Sequence, residues 1–409
     1  MTRVSLASLP WVRPAVWGLA ALCHLCALGG IPGSAAAMPS VDLHGSLDLV
    51  ETTGDEDRID ANSIGPGENP FHTTHIRLQA SALVSPNVEA LLDASYEDGS
   101  YARLVGGFVR LSDPGGMDLH LEVGKIPLHI GSFPDRATAQ KNSLIGVPLM
   151  YQYRTDLRTD QVPVRAEDLV ANRGLGASAD YRSAGLTGLG GYEGHSVPVL
   201  YEDYWDFGAV VVGSVEPFEF AMGVTNGTAA DPQATDDNDG KQVLARVGVE
   251  PRPWIRAGLS ASRGPYLYND LAEVLPAGRH VTDYNQTLAG GDLELSHGHG
   301  VLDAEYLWSR FDSPTLGGLD VRSWYAEGKF TVLPGWYVAA RYDRMMFGDV
   351  HVSSGALESW DADVWRQEIG IGYKPTRNIV AKLVHQETHI ATSPARTLPF
   401  AALQVSASF

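Results

Sequence analysis

Val41-Asp42-Leu43-His44-Gly45-Ser46-Leu47-Asp48-Leu49 alternates apolar and polar residues without an error. That is the period of a strand with one wet face and one apolar face. Further along, Ile76, Leu78, Ala80 and Ala82 alternate with Arg77, Gln79 and Ser81. After Ser85-Pro86-Asn87 the pattern resumes with Ala90, Leu92, Ala94 and Tyr96 against Glu89, Asp93 and Glu97. Residues 117–123, 218–224, 243–249, 255–261, 302–308 and 401–409 behave alike. Such runs have the length, about 9 to 11 residues, that a tilted strand needs to cross a bilayer. The pattern predicts an all-β, transmembrane antiparallel β-barrel.

Connections alternate between short and long. Short turns are read at 85–87, 113–116, 183–185, 216–217, 251–253, 297–300, 333–335 and 374–377. Longer polar segments lie between them, among them 51–74, 126–173, 194–205, 227–240, 264–285 and 346–363. Eight turns and nine outer connections predict 18 strands; the stretches 102–111 and 186–193 carry the weakest patterns, and 16 is the alternative count. Short periplasmic turns with long outer loops are the layout of bacterial outer-membrane barrels. Aromatics collect near both predicted interfaces: Phe108, Tyr181, Phe218, Trp336, Tyr373 and Phe409 by the short turns, Tyr96, Trp308, Trp324 and Trp365 by the long loops.

Upstream, Arg3 and Arg13, an apolar run from Ala15 to Ile31 and Ser34-Ala35-Ala36-Ala37 read as a secretory signal peptide over 1–37, with the barrel at 38–409. Both cysteines, Cys23 and Cys26, fall in that leader, which excludes disulfides and thiolate chemistry from the mature chain. Without Arg3 and Arg13 the 30 basic residues become 28, against 49 acidic ones, so nucleic acid is excluded as a partner. No motif points to a catalytic centre, and neither a cofactor nor a metal is expected. Gly174-Leu175-Gly176-Ala177-Ser178-Ala179 matches a dinucleotide fingerprint only superficially, since it is read as opening a strand and not a helix. The acidic stretch Asp231 to Asp239 resembles a calcium loop, but Thr235 and Arg246 stand where ligands are needed.

The last ten residues, 400–409, alternate and end on Phe409. This resembles the C-terminal signal that outer-membrane barrels present to their assembly machinery. Gly124-Lys125-Ile126-Pro127-Leu128, Thr225-Asn226-Gly227, Asn238-Asp239-Gly240-Lys241 and Ala340-Arg341-Tyr342-Asp343 resemble segments of the phosphate- and polyphosphate-selective porins. The resemblance implies a homotrimeric channel for ions or small polar solutes, set among lipid and lipopolysaccharide in the outer membrane, its third loop folded inward. That places a constriction loop at 126–173, with Arg136, Lys141, Arg154 and Arg158 as its basic residues.

The sequence departs from an anion channel on its inward parity. Basic wall positions are Arg77, Arg182, Arg246, Arg256, Lys329, Arg341, Arg366 and Lys382. Acidic ones outnumber them, among them Glu89, Asp93, Glu122, Asp292, Glu294, Asp303 and Glu305. These residues are expected to line the pore. They either pair across strands or set a transverse field in the lumen; the acidic excess predicts weak cation preference, with phosphate selectivity as the alternative.

Overall fold

The computed structural model describes residues 40–53, 73–97, 102–113, 115, 117–176, 179–181, 188–190, 196–201, 205–233 and 236–409. The leader expected at 1–37 and Arg182 lie outside them. The unit Val41–Phe409 begins with β1 (Val41–Thr53), β2 (Thr73–Ser85), β3 (Val88–Glu97), β4 (Arg103–Ser112) and β5 (Leu119–Pro127). Two short strands, β6 (Gln161–Pro163) and β7 (Gly188–Gly190), interrupt the wall. It continues with β8 (Trp205–Val215), β9 (Phe218–Thr225), β10 (Gln242–Arg252), β11 (Ile255–Pro265), β12 (Asn285–His297), β13 (Gly300–Ser313), β14 (Gly317–Leu333) and β15 (Trp336–Phe347). After the short β16 (Asp349–His351) and β17 (Leu357–Ser359) come β18 (Val364–Thr376), β19 (Ile379–Ile390) and β20 (Arg396–Ser408).

Sixteen strands form one closed antiparallel barrel, sealed where β20 pairs with β1. This is the lower of the two counts. The turn expected at 183–185 lies outside the described residues, and among those described on either side of it none joins the wall. Gly174 and Gly176 take φ of 69° and 57°, which no pleated strand accommodates. Tyr181, expected at a lipid interface, is fully buried and donates its hydroxyl to the Asp156 carbonyl at 2.7 Å. Gly188–Gly190 pairs only with Gln161–Pro163. β5 pairs directly with β8, so the described residues between Pro127 and Trp205 all lie outside the wall, and they extend beyond the segment 126–173. The doubtful stretch 102–111 does join the wall as β4. Its register slips between Asp93 and Ala94, and Phe108 ends up buried inside.

Outward parity is apolar and exposed: Leu43, Leu78, Phe220, Val247, Leu259 and Ile369 belong to it. The opposite parity faces the lumen, and there the core lies. Leu149, Met150, Tyr153, Leu157, Tyr181 and Leu200 of the long connection pack against Leu244, Leu288, Leu307, Phe311, Val321 and Met345 of the wall. Each such side chain gains about 1.5–3 kcal/mol on burial. The connection is thus bound to one side of the barrel as a folded unit.

The C-terminus takes part in closure. The Phe409 amide donates to the Gly45 carbonyl at 3.0 Å and the Gly45 amide to Phe409 at 3.1 Å, while the ring covers the place a Gly45 side chain would occupy. Deleting Phe409 should lower the yield of heat-modifiable barrel in membranes several-fold, read by gel mobility with and without boiling. Gly45→Val, whose side chain would meet that ring, should act in the same direction.

Candidate functional site

The long connection is fastened where its backbone amides meet wall carboxylates. Gly131, at φ 72°, turns the chain inward at a point where a Cβ would meet the Tyr151 hydroxyl. Glu305 on β13 then accepts from the Ser132 amide at 2.8 Å, its hydroxyl at 2.7 Å, the Phe133 amide at 2.6 Å and the Tyr151 hydroxyl at 2.5 Å. Glu368 on β18 accepts from the Ile145 and Gly146 amides at 3.2 and 2.9 Å, and Asp343 on β15 from the Leu149 amide at 3.1 Å. Wall cations take the carbonyls: Lys382 donates to Leu144 and Arg366 to Val147, both at 3.0 Å. Arg341, fully buried, links Glu327, Asp343 and Glu368 at 3.2, 3.2 and 2.6 Å. Arg136 reaches Glu327 at 3.0 Å and the Tyr325 hydroxyl at 2.8 Å. A buried charge holds its place when it is paired and hydrogen-bonded, as Arg341 is by its three carboxylates.

The opposite wall stays open. A cavity of about 690 Å³ separates residues 134–141 of the connection from β1–β4. Arg77, Glu89, Asp93 and Arg110 border it from the wall, and Asp135 and Lys141 from the loop. Arg77 Nε donates to both Asp93 oxygens at 2.9 and 3.0 Å. Arg110 bridges Glu122 at 2.9 Å and Glu89 at 3.1 Å, its two facing partners in the registers of β4. His120 and His129 stand 3.5 Å from the Glu122 carboxylate. Lys141 Nζ donates to the Asp135 carbonyl at 3.0 Å. Among the described residues, no group of three or more His, Cys, Asp or Glu side chains is arranged to hold a metal.

The residues expected to line one pore thus divide into three settings. Arg77, Glu89 and Asp93 border the cavity, with Glu122 buried just behind them. Arg246 is chelated by Asp292 at 2.5 and 2.9 Å, and Arg256 pairs with Glu250 at 2.9 Å near a short turn, opposite Glu294. Asp303, 3.6 Å from Arg136, belongs with Glu305, Arg341, Arg366 and Lys382 to the fastening of the loop. Of Arg136, Lys141, Arg154 and Arg158, Lys141 borders the cavity. Arg154 donates to the Ser196 carbonyl at 2.7 Å and lies over the Tyr201 ring. Arg158 is buried between Asp160, at 2.9 and 2.8 Å, and the Ala179 carbonyl at 2.6 Å. Arg110 was missed because the slipped register obscured its parity; the straight row Glu89, Arg110, Glu122 across three strands is the signal that marks it.

No family model matches the chain, and no curated protein matches it. Solved structures do. OmpF of Salmonella typhi, in complex with daunomycin, aligns over 91% of this chain and 98% of its own at TM-score 0.56 and 10% identity. The anion-selective porin of Comamonas acidovorans aligns over 91% and 100% at 0.54 and 9%. OmpT of Vibrio cholerae, an outer-membrane protein solved in a trimer form, aligns over 91% and 100% at 0.53 and 11%. The fold is that of solved outer-membrane porins. The phosphate-selective resemblance finds no support among these matches.

A second clasp joins the loops. Asp361 accepts from the Asp156 and Gly174 amides at 3.2 and 3.0 Å, and both carboxyls are fully buried. Burial, then the Asp361 carboxyl beside it, holds the Asp156 carboxyl well above the ordinary range, and burial pushes Asp361 up to about 6. Groups raised on folding stabilise fully below the unfolded value, about 3.9, and lose that contribution as pH rises through the folded one. The clasp should therefore loosen as pH passes about 6, and Asp361→Asn should flatten that dependence; hydrogen exchange of the Gly174 amide checks both. Glu305→Ala leaves two amides and two hydroxyls unpaired at about 1–3 kcal/mol each. Limited proteolysis of the folded variant should nick residues 131–152, where the parent resists.

Proposed function

We propose that this chain is a porin of a bacterial outer membrane, a passive channel and not an enzyme, and that residues 1–37 export it. The observation that carries the reading is the 690 Å³ cavity left between the lumen loop and β1–β4, bordered by charged side chains of both signs. An apolar core on one side and a charged, part-exposed wall on the other make a passage suited to hydrated solutes. On this reading the loop narrows the passage through residues 134–141, its outer half filling the rest of the lumen. Homotrimer formation and contact with lipopolysaccharide belong to the same proposal, as does recognition of Phe409 by the assembly machinery.

Selectivity follows from charges within a Debye length of the path, about 8 Å at physiological salt. Arg77, Arg110 and Lys141 meet Glu89, Asp93 and Asp135 at the cavity, and Glu122 adjoins them. The small acidic excess supports weak cation preference. An anion-selective channel is the second reading, favoured by the convergence of those three cations on one opening.

In planar bilayers the barrel should conduct, and replacing 132–150 with a short Gly/Ser link should raise unit conductance several-fold. A potassium chloride gradient should give a cation-to-anion permeability ratio of roughly 2, the scale of a few incompletely screened charges. An anion potential abolished by Lys141→Ala would install the second reading. A barrel that never conducts would overturn both.

A further inference from the structure

An apolar platform interrupts the charged wall of the cavity. One register level runs from His44 on β1 through Gln79 on β2 and Asp93 on β3 to Gly106 on β4. The first three positions are polar, and the fourth has no side chain. The ring of Trp205, from the start of β8, occupies the place a Gly106 side chain would take. Because β5 stands between β8 and β4, the indole reaches across it along the inner face. Phe108 stands beside the indole, ring centroids 6.2 Å apart at 42°. Trp205 is only half-buried and borders the 690 Å³ cavity together with Leu91, Phe108 and Pro127. A ring laid against wall backbone and still part-exposed turns its remaining surface to the lumen.

Beside this platform the charges are already matched. Asp93 accepts from Arg77 Nε at 2.9 and 3.0 Å and from the Gln79 amide at 2.7 Å, and Arg110 lies between Glu89 and Glu122. A free ion arriving here would have to break one pair to form another, so the level holds no strong attraction for either sign. It still offers hydrogen bonds. His44 and Gln79 are exposed, Arg77 and Glu89 in part, and a guanidinium or carboxylate has more donors or acceptors than one pair consumes.

We propose that this level of the wall is a binding subsite for a neutral sugar, with the C–H face of one pyranose ring stacked on Trp205 and its hydroxyls reaching Gln79, Arg77 and Glu89. A pyranose is apolar on a face and polar around its rim, which is the division the wall presents. The cavity volume lies within the range of about 300–1,000 Å³ typical of small-molecule sites, where apolar lining is joined by a few placed polar groups. An aromatic acid would use the indole, but the arginines beside it are already paired. An acyclic polyol would use the polar row, but has no flat face to stack. The inference rests on the channel reading and gives that channel a solute class.

The test uses the full mature barrel in planar bilayers and, in parallel, equilibrium dialysis of the detergent-solubilised barrel against radiolabelled cellobiose. Cellobiose is flat; sorbitol, at equal osmolality, carries hydroxyls without a ring. Cellobiose should reduce the ion current saturably in the millimolar range, and sorbitol should do no more than its effect on the bulk solution. Trp205→Ala should raise the half-blocking concentration about tenfold, the scale of one aromatic contact, and Trp205→Phe should recover most of the loss. Gly106→Ala, whose methyl displaces the indole, should weaken the block with every polar partner in place. Equal effects of the two solutes on the parent, a block by benzoate in place of cellobiose, or an undiminished block in the folded Trp205→Ala barrel would each overturn the proposal. The comparison on the parent decides the matter even where a variant fails to fold. A parent barrel that conducts without a cellobiose block removes the subsite and leaves the channel standing. One that never conducts yet binds labelled cellobiose through Trp205 removes the channel and keeps the subsite.

Discussion

Backbone amides and carbonyls within hydrocarbon have no water to turn to, so a sheet that crosses a bilayer must close on itself. Every other feature of this chain is arranged around that closure. Sixteen strands satisfy one another in a ring, and the final seam between β20 and β1 is finished by the reciprocal hydrogen bonds of Phe409 and Gly45. Because the wall has two faces and the side chains alternate, closure also sorts the residues. One parity meets lipid and is apolar; the other meets whatever fills the lumen.

What fills it here is protein on one side and space on the other. The chain between β5 and β8 brings its own apolar core, and the wall beneath it is correspondingly apolar at Leu288, Leu307, Phe311 and Val321. Closer to the short-turn side the same strands offer buried carboxylates and cations, which the loop meets with backbone amides and carbonyls, with the Ser132 and Tyr151 hydroxyls and with the Arg136 guanidinium. Removing one partner from such a buried array costs about 3–5 kcal/mol. Loop and wall are therefore one cooperative structure. The open side, β1–β4, has its charges paired across strands yet still in reach of water, as Arg77 with Asp93 and Arg110 with Glu89 and Glu122.

The strands themselves were legible because a period of two is a local property, and Val41 to Leu49 displays it without reference to any other residue. Turns such as Ser85-Pro86-Asn87 were legible for the same reason. Tyr181, before the turn expected at 183–185, was misread because alternation alone cannot tell a lipid-facing residue from one facing an internal core. Tyr181 is apolar-facing in either case; only its contacts with the loop separate the two. Arg110 was hidden by a one-residue register slip between Asp93 and Ala94, which turned Phe108 inward and reversed the apparent parity of the strand.

By itself the sequence determined that this is an all-β barrel with one apolar and one polar face, short turns at one end and long connections at the other, and an acidic interior. Those properties depend on neighbours along the chain. Tertiary structure alone decided which interior charges are exposed and which are consumed. Arg341 and Arg77 have the same inward parity and the same chemistry, yet one is sealed beneath the loop and the other borders the cavity. That difference depends on where a connection of many tens of residues comes to rest, which is fixed by burial and hydrogen bonding across separations such as Phe133 to Glu305 and Ile145 to Glu368. No local pattern encodes such pairings, because their energy appears only once the barrel has closed around the loop.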